Sequence, residues 1–294
     1  MKSDMAQRAP WLIRRIPAGG MDKVQGLMDD LNLHTVCKSA SCPNLGECFH
    51  AGTATFLILG GICTRGCRFC GVPKGKTAAV DPLEAENVAT AIKTMGLRHA
   101  VVTSVTRDDL ADGGAAQFIL CIKAIRAVSP GTTVEVLTPD FAGDKDALAG
   151  VLAQTPDVFN HNVETVPRLY SAVRPEADYG RSLDVLRQAA ESGIVWVKSG
   201  LMLGLGETET EVLQVFCDLR QNGVNCLTVG QYLRPTREHL PVVDYIHPDR
   251  FKALEKEAYD MGFRQVASGP LVRSSYHAER VFAASPVDMR QTQG

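Results

Sequence analysis

Six of the nine cysteines in this sequence fall into two closely spaced groups. The first group has the spacing C-x4-C-x5-C and the second has the spacing C-x3-C-x2-C; they consist of Cys37, Cys42 and Cys48, and of Cys63, Cys67 and Cys70. We refer to them as the first and second cysteine trio. A four-iron, four-sulfur (4Fe–4S) cluster takes four protein ligands, usually thiolates. Each trio would leave one iron open. The pattern therefore predicts two clusters, and the open iron at the second trio could bind a small molecule.

Zinc is the alternative occupant of the second trio, because a C-x2-C pair is typical of zinc sites. A structural zinc site needs a fourth ligand, and the next ligand-like residue in the sequence is His99. Disulfides are a poorer interpretation, because no apolar signal segment precedes the cysteines and clustered cysteines in a chain of this kind more often bind metals. The other three cysteines, Cys121, Cys217 and Cys226, are interpreted as small buried hydrophobes.

Strand-like and helix-like segments alternate along the chain that follows the first trio. Strand-like runs lie at 53–59, 100–105, 133–137, 158–163, 195–202 and 227–232, and helical patterns lie at 82–95, 115–128, 144–153, 181–192, 208–221 and 248–261. Six βα units in series favour parallel strands covered by helices. We therefore predict an α/β fold, an incomplete (βα)6 TIM-type barrel that is open on one side. An open doubly wound sheet is the alternative.

The predicted barrel divides the chain into three parts. Residues 1–52 form an N-terminal extension that carries the first trio, residues 53–262 form the partial barrel, and residues 263–294 form a C-terminal extension. Asp81 followed by Pro82 predicts an N-cap and the first residue of the first barrel helix.

The second trio lies in 60–76, the loop after the first predicted strand. Functional sites in both architectures lie at the C-terminal ends of the strands. A C-x3-C-x2-C order at this place, with the aromatic Phe69 before the last cysteine, resembles the radical S-adenosylmethionine superfamily. The resemblance implies that this trio holds a 4Fe–4S cluster whose open iron binds S-adenosylmethionine. It also implies reductive cleavage to a 5'-deoxyadenosyl radical, which abstracts hydrogen from an unactivated carbon.

Residues at later strand ends are then expected to hold S-adenosylmethionine. Glu164 could accept hydrogen bonds from the ribose hydroxyls or the methionine amine. Arg174 could clamp the methionine carboxylate through its planar guanidinium, and Arg168 is the alternative for this role. Tyr232 ends the sixth predicted strand, where the adenine could lie. The predicted cofactor-binding residues are Asn162, Glu164, Arg174, Lys198 and Tyr232.

The first trio makes the resemblance more specific. The segments 37–48, 61–71, 103–114 and 273–278, the last reading RSSYHA, are similar to those of lipoyl synthases, and the similarity runs from about residue 11 to residue 278. It implies that the first trio holds an auxiliary 4Fe–4S cluster whose fourth ligand is Ser274 or Ser275. Because neighbouring residues of an extended segment point in opposite directions, we expect one of the two to reach the iron.

Lipoyl synthases are sulfurtransferases, and the resemblance implies the same activity here. A carbon radical would form at C6 and then at C8 of an octanoyl chain, and each would take sulfur from the auxiliary cluster, with two S-adenosylmethionine molecules used per lipoyl group. The implied substrate is octanoyl-lysine on a lipoyl carrier domain, such as that of 2-oxoacid dehydrogenase E2 subunits or the glycine cleavage H protein. A reductant such as flavodoxin or ferredoxin and iron–sulfur carrier proteins would be further partners. Arg14, Arg15 and Arg273 are candidates to meet an acidic carrier.

Composition argues against other partners. The net charge is −2 and the pI is about 6.4, which lacks the basic footprint of a nucleic-acid-binding domain. The apolar runs are too short to span a bilayer. We therefore expect neither nucleic acid nor membrane as a partner and, without a transit-like segment, a cytoplasmic protein. Two functional alternatives are another radical sulfur-inserting enzyme, acting on a biotin precursor or transfer RNA, and a binding module with structural metal.

Overall fold

The computed structural model describes residues 9–12, 21–39, 42, 44–50 and 54–275. A single sheet of eight strands forms its centre, and neighbouring strands follow the order of the chain. The strands are β1 His34–Thr35, β2 Thr55–Ile58, β3 His99–Ser104, β4 Thr133–Leu137, β5 Val158–Asn160, β6 Trp196–Leu203, β7 Cys226–Gln231 and β8 Gln265–Gly269. β1 pairs antiparallel with β2, and every later pair is parallel. The described strands form an open barrel, because β1 and β8 are its two edges.

Helices connect the parallel strands and cover the outside of the sheet. They are α1 Met21–Asp30, α2 Val36–Ser39, α3 Leu45–His50, α4 Glu84–Met95, α5 Ala115–Val128, α6 Lys145–Leu152, α7 Tyr170–Val173, α8 Tyr179–Glu191, α9 Glu209–Gln221 and α10 Pro248–Asp260. Short 3-10 turns lie at Pro10–Leu12, Phe141–Gly143 and Pro167–Leu169. None of the described helices is both long enough and apolar enough to cross a membrane.

The predicted incomplete barrel is confirmed. Its six βα units are β2–α4, β3–α5, β4–α6, β5–α8, β6–α9 and β7–α10. The strand order has no reversal of the kind that defines a doubly wound sheet, so that alternative is wrong. Two further strands, β1 and β8, come from the segments that the sequence assigned to the N- and C-terminal extensions and pair with the outer barrel strands.

The start of α4 differs from the prediction. The helix begins at Glu84, and Leu83 precedes it without a side-chain cap. The Asp81 carboxylate instead accepts a hydrogen bond from the Leu83 backbone N–H at 2.9 Å, which stabilises a turn before the helix. Pro82 lies in that turn.

The core lies between the sheet and its helices. Phe56, Ile58 and Val102 on the strands are fully buried, as are Ile92 of α4 and Phe118 of α5. Continuous apolar strands of this kind are expected where both faces of a parallel sheet are covered. As predicted, Cys121 and Cys226 are buried hydrophobes in this core, whereas Cys217 is only half-buried.

Candidate functional site

The loop that carries the second trio leaves the C-terminal end of β2. We refer to residues 59–77 as the trio loop. Leu59 has a positive φ of 69° and Gly60 a φ of 89°, which turns the chain sharply out of the strand. The Cys63 N–H donates to Pro73 O at 2.8 Å, and its carbonyl accepts from Gly75 N–H at 3.1 Å. These bonds fold the loop back on itself over the strand ends.

Backbone and side-chain donors surround the second trio. The Cys63 sulfur accepts N–H groups from Arg65 at 3.4 Å and Thr106 at 3.3 Å. Burial raises the pKa of the Cys67 thiol, and the nearby Arg174 charge opposes that shift. Burial also raises the pKa of Cys70 to about 12. The positive charge of bound iron would reverse this preference, because metal coordination deprotonates thiols.

Most of the predicted site residues open on one cavity of about 380 Å³. The cavity lies at the C-terminal ends of the parallel strands, where the fold predicts a functional site. The predicted residues that line it are Cys37, Cys42, Cys63, Cys67, Cys70, Asn162, Glu164, Arg174, Tyr232, Ser274 and Ser275. Two predicted residues, Cys48 and Lys198, are not in this wall.

Two residues of the first trio lie on short helices, Cys37 on α2 and Cys48 on α3, and Cys42 lies between these helices. Cys37 is a buried residue of α2, and the Cys42 N–H donates to its carbonyl at 3.0 Å. Cys48 lies on α3, half-buried and outside the cavity wall, and its N–H donates to Asn44 O at 2.9 Å. The Asn44 side chain donates to Leu271 O at 2.7 Å, so this region is tied to the C-terminal segment.

The C-terminal segment 271–275 brings both predicted serines to the cavity. The Thr55 hydroxyl hydrogen-bonds Ser275 Oγ at 2.8 Å. Burial raises the pKa of the Cys37 thiol and hydrogen bonds from Thr55 oppose that shift, so Ser275 lies beside the first trio. Gly230 of β7 makes the crossing possible, because a Cβ there would lie 2.3 Å from Val272 O. Arg273 is half-buried in the cavity wall rather than on an outer surface. Arg14, Arg15 and the rest of the RSSYHA motif lie outside the described residues.

Glu164 and Asn162 form the cavity wall after β5. Glu164 has a φ of 67°, and its backbone pairs with β6 through Gly200 O and Met202 N–H, each at 2.9 Å. Its carboxylate accepts from the Asn162 amide at 3.2 Å. Burial raises the pKa of Glu164, while the charges of Arg174 and Arg273 oppose the shift. A carboxylate in this setting favours a hydrogen-bond donor or a cation in the cavity.

The structure distinguishes between the two arginines considered for the carboxylate clamp. Arg174 is 9% exposed, lines the cavity, and donates through Nη1 to Asn162 O at 3.0 Å and to Tyr170 Oη at 2.9 Å. The Arg168 side chain is 54% exposed and forms an ion pair with Glu211 at 2.6 Å, outside the cavity wall. Of these two arginines, Arg174 is therefore the one that faces the cavity.

Buried polar atoms without a protein partner mark the cavity as a polar ligand site. Those on cavity-lining residues are Ser104 Oγ, Thr138 Oγ1, His161 Nε2, Asn162 Oδ1, Arg174 Nε and Arg234 Nε. Leaving such atoms unpaired is costly, so a ligand with matching donors and acceptors would satisfy them. Gly200 keeps this wall open, because a Cβ there would lie 2.3 Å from Thr228 Oγ1. Together with the thiols, these residues fit clusters and S-adenosylmethionine.

Lys198 is placed elsewhere than the sequence suggested. It is 1% exposed near the start of β6, and its Nζ lies 2.9 Å from Glu135 Oε1 in the interior of the sheet. His99, the next ligand-like residue in the sequence after the second trio, lies at the start of β3, and its Nε2 is 3.2 Å from the other oxygen of Glu135. Both residues thus belong to a core ion-pair network. Within the part of the chain that the structure describes, no three Cys, His, Asp or Glu side chains converge on a single ion.

Glu84 is a site-supporting residue that the sequence analysis missed. Both of its carboxylate oxygens accept the Leu59 N–H, at 2.9 and 3.0 Å, at the start of the trio loop. Gln117 donates to the same carboxylate at 2.8 Å. An acidic residue in the first turn of a helix is ordinary in sequence, so nothing marked Glu84 before the structure placed it.

The sequence between residues 57 and 219 matches the model of the radical SAM superfamily. A lipoyl synthase from Rubrobacter xylanophilus is 56% identical over 274 residues, which cover 92% of this chain and 85% of the relative. The chain belongs to the lipoyl synthase family. A second lipoyl synthase, from Caldanaerobacter subterraneus, is 53% identical and covers 94% of this chain and 97% of its own length. The lipoyl synthase family consists of sulfurtransferases, so this chain is an enzyme of that class.

Solved structures support the fold of this lipoyl synthase family member. HydG, a maturase of the FeFe hydrogenase, aligns with a TM-score of 0.56 at 16% identity, over 73% of this chain and 58% of HydG. Streptococcus suis SuiB bound to its precursor peptide SuiA aligns with a TM-score of 0.55 at 12% identity, over 84% of this chain and 52% of SuiB. At these identities the likeness concerns the fold alone.

Proposed function

We propose that this enzyme inserts two sulfur atoms, at C6 and C8, into an octanoyl chain carried on a lysine of a lipoyl carrier domain. One observation carries the proposal: cysteines of both trios, together with Ser274 and Ser275, line the same cavity. A radical made at the second trio and sulfur held at the first would then act on one chain lying between them.

The two trios would hold two 4Fe–4S clusters with separate tasks. Once loaded and reduced, the cluster at the second trio would cleave S-adenosylmethionine to a hydrogen-abstracting radical, and the auxiliary cluster would supply the sulfur. The trio loop contributes three thiolates and leaves one position open for the cofactor. The family name supports both clusters, and the use of two S-adenosylmethionine molecules per lipoyl group is part of the proposal.

The cavity wall would orient S-adenosylmethionine. Arg174 would bind the methionine carboxylate through the part of its guanidinium that has no protein partner. Glu164 and Asn162 would accept hydrogen bonds from the amine and the ribose hydroxyls. Tyr232 would border the adenine, since it packs with Phe69 of the trio loop in a small apolar cluster. That cluster would keep water from the reacting carbon.

The first trio would borrow its fourth ligand from the C-terminal segment. Cys37, Cys42 and Cys48 supply thiolates, and Ser274 or Ser275 supplies an oxygen. A serine oxygen is a weak match for iron in an iron–sulfur cluster, and weak ligation suits a cluster that must give up sulfur. Ser275 is the serine that Thr55 contacts, and both serines line the cavity.

The proposed partners follow from the reaction. The octanoyl substrate would arrive on E2 subunits of 2-oxoacid dehydrogenases or on the glycine cleavage H protein. Flavodoxin or ferredoxin would supply electrons, and iron–sulfur carrier proteins would rebuild the auxiliary cluster. A cytoplasmic location is part of the same proposal, as is the absence of nucleic-acid and membrane partners.

Anaerobic reconstitution followed by turnover tests the proposal. We expect about eight irons per chain and, with an octanoyl-lysine peptide, reductant and S-adenosylmethionine, a doubly thiolated peptide. Cys63→Ala should abolish deoxyadenosine formation, because the radical could not form. Cys37→Ala should spare deoxyadenosine formation and abolish thiolation.

Cys217→Ala is the matched control, because this half-buried cysteine lies on α9 and not in the cavity wall. It should retain both reactions. A wild-type chain that saturates at four irons, or that cleaves S-adenosylmethionine without thiolating the peptide, would contradict the proposal.

A further inference from the structure

Residues 106–109, directly after β3, contact the trio loop at its beginning, its middle and its end. We refer to them as the 106–109 segment. Thr106 lines the cavity, whereas Arg107, Asp108 and Asp109 do not. The last three residues therefore touch the loop without facing a ligand that binds in the cavity.

At the beginning of the loop, Arg107 holds Leu59. The Arg107 side chain is 3% exposed, and its Nη1 donates to Leu59 O at 3.4 Å. The N–H of Leu59 is held from the other side by the Glu84 carboxylate. Both polar groups of a residue with positive φ are thus fixed, which keeps the sharp turn out of β2 in place.

In the middle of the loop, Asp108 holds Arg65, which lies between Cys63 and Cys67. The Arg65 Nε and Nη2 donate to the two oxygens of Asp108 at 2.7 and 2.8 Å. Arg65 is 6% exposed, and its Nη2 also contacts Asp140 at 2.7 Å. A bidentate pair of this kind fixes orientation as well as distance.

The backbone of the segment reinforces this contact. The Thr64 N–H donates to Thr106 O at 3.0 Å, and the Asp108 N–H donates to Thr64 Oγ1 at 3.1 Å. The Thr106 N–H donates to the Cys63 sulfur at 3.3 Å. The first cysteine of the trio is therefore held directly by the segment.

At the end of the loop, Asp109 holds Thr77. The Thr77 hydroxyl donates to Asp109 Oδ2 at 2.8 Å. Arg107 donates to both oxygens of the same carboxylate at 2.8 Å. Arg107 and Asp109 thus link the first residue of the loop to the last.

We propose that the 106–109 segment holds the trio loop in its cluster-binding shape before any cluster is present, and that Asp108 is a positioning residue for the second trio. The proposal rests on the proposed role of Cys63, Cys67 and Cys70 as cluster ligands. A loop that had to order itself around the cluster would lose conformational entropy on binding. Fixing three points of the loop removes most of that cost in advance and keeps the thiolates in register.

Hydrogen–deuterium exchange of the anaerobic, cluster-free protein tests the proposal. In Asp108→Asn, the N–H groups of the side-chain amide would face the N–H groups of Arg65. The bidentate ion pair between residues 65 and 108 would be lost. We expect exchange of the amides at 60–76 to rise by about tenfold or more, and the rate of iron uptake to fall by a similar factor. Asp108→Glu should recover part of both losses. The thermal midpoint should fall by no more than about 4 °C.

Asp184→Asn is the matched control. Asp184 is as exposed as Asp108, at 38% against 35%, and it pairs with Arg187 on the surface of α8. It should change neither the exchange at 60–76 nor the rate of iron uptake. Thr77→Val is a second, milder variant that removes only the Asp109 contact at the end of the loop. It should raise exchange near residues 74–77 and leave the rest of the loop protected.

Wild-type exchange at 60–76 in Asp108→Asn would overturn the proposal, as would a loss of protection spread equally over the whole sheet. Because exchange is measured without cluster, cofactor or substrate, its outcome is separate from that of the proposed function. If Asp108→Asn loosens the trio loop but the wild-type enzyme does not thiolate the peptide, the role of the 106–109 segment is supported and only the proposed sulfur-inserting activity is contradicted.

Discussion

A buried carboxylate, Glu135, and its partners form a polar network in the interior of the barrel. Lys198 and Glu135 are at most 1% exposed, and His99 and Asn160 also bind the Glu135 carboxylate, at 3.2 and 3.1 Å. Although burial raises the pKa of Glu135, the Lys198 and His99 groups bring it down to about 2. Buried charges of this kind are tolerated only because each has partners, and removing one partner exposes the other to the full cost of desolvation.

Lys198→Met is expected to lower the free energy of unfolding by about 3–5 kcal/mol, because it leaves Glu135 buried without its main counter-charge. Urea unfolding of the cluster-free protein measures the loss. The double variant Lys198→Met, Glu135→Leu should recover most of it, because neither charge is then buried.

The affinity of the reconstituted enzyme for S-adenosylmethionine separates this role from cofactor binding. A Lys198→Met enzyme that is as stable as the wild type but binds S-adenosylmethionine much more weakly would contradict the structural role. It would support the predicted role of Lys198 in cofactor binding.

Whole elements meet at the edges of the sheet. β8 pairs in parallel with β7, and the segment 271–275 after β8 crosses β7 near its end, where β7 has a glycine. At Gly230 a Cβ would lie 2.3 Å from Val272 O and 3.2 Å from Arg273 Nη1. The position of both serines in the cavity wall therefore depends on a glycine in a neighbouring strand.

Gly230→Ala is expected to push the 271–275 segment away from β7. Overpacking of this kind costs about 1–3 kcal/mol, which urea unfolding would detect. Thiolation of an octanoyl-lysine peptide should fall by about tenfold or more, because the serines would leave the cavity wall. Gly131→Ala is the control, since a Cβ there meets nothing within 4 Å. Normal stability and thiolation in Gly230→Ala would show that the segment is not held where the structure has it.

Several buried titratable groups make the free energy of unfolding depend on pH. Burial and the Arg174 charge lower the pKa of His161 to about 4, and its Nδ1 is held 2.9 Å from Thr138 O. Asp140 is drawn toward a raised pKa by burial, but Arg65 lowers it to about 2. Each group therefore takes up protons more readily in the unfolded chain than in the folded one.

These pKa shifts determine in which direction the free energy of unfolding changes with pH. The contribution of His161 is complete above its unfolded pKa of about 6.5 and is lost as pH falls toward 4. The carboxylates Glu135 and Asp140 add a second loss below about pH 4.5. We expect the free energy of unfolding of the cluster-free protein to fall by about 2 kcal/mol between pH 7 and pH 5. His161→Gln should flatten this part of the curve, and an unchanged slope in that variant would rule out His161 as its source.

Local patterns along the chain were enough to predict the strands, the helices and the types of ligand. The six βα units could be predicted because apolar runs and helical periodicity are local properties, and β2 to β7 follow that pattern. The second trio could be recognised because its three cysteines lie within one loop, so their spacing alone carries the chemistry. The similarity to lipoyl synthases was likewise recognised from short segments, at 37–48, 61–71, 103–114 and 273–278.

Contacts between residues far apart in the chain became visible only once the fold was known. Thr55 and Ser275 are 220 residues apart and lie 2.8 Å from each other, and Glu84 reaches back 25 residues to the turn at Leu59. Lys198 was predicted to bind the cofactor, yet it lies within β6 and its ion pair with Glu135 spans 63 residues. Such contacts depend on how strands and loops are brought together in space, and no local pattern in the sequence records them.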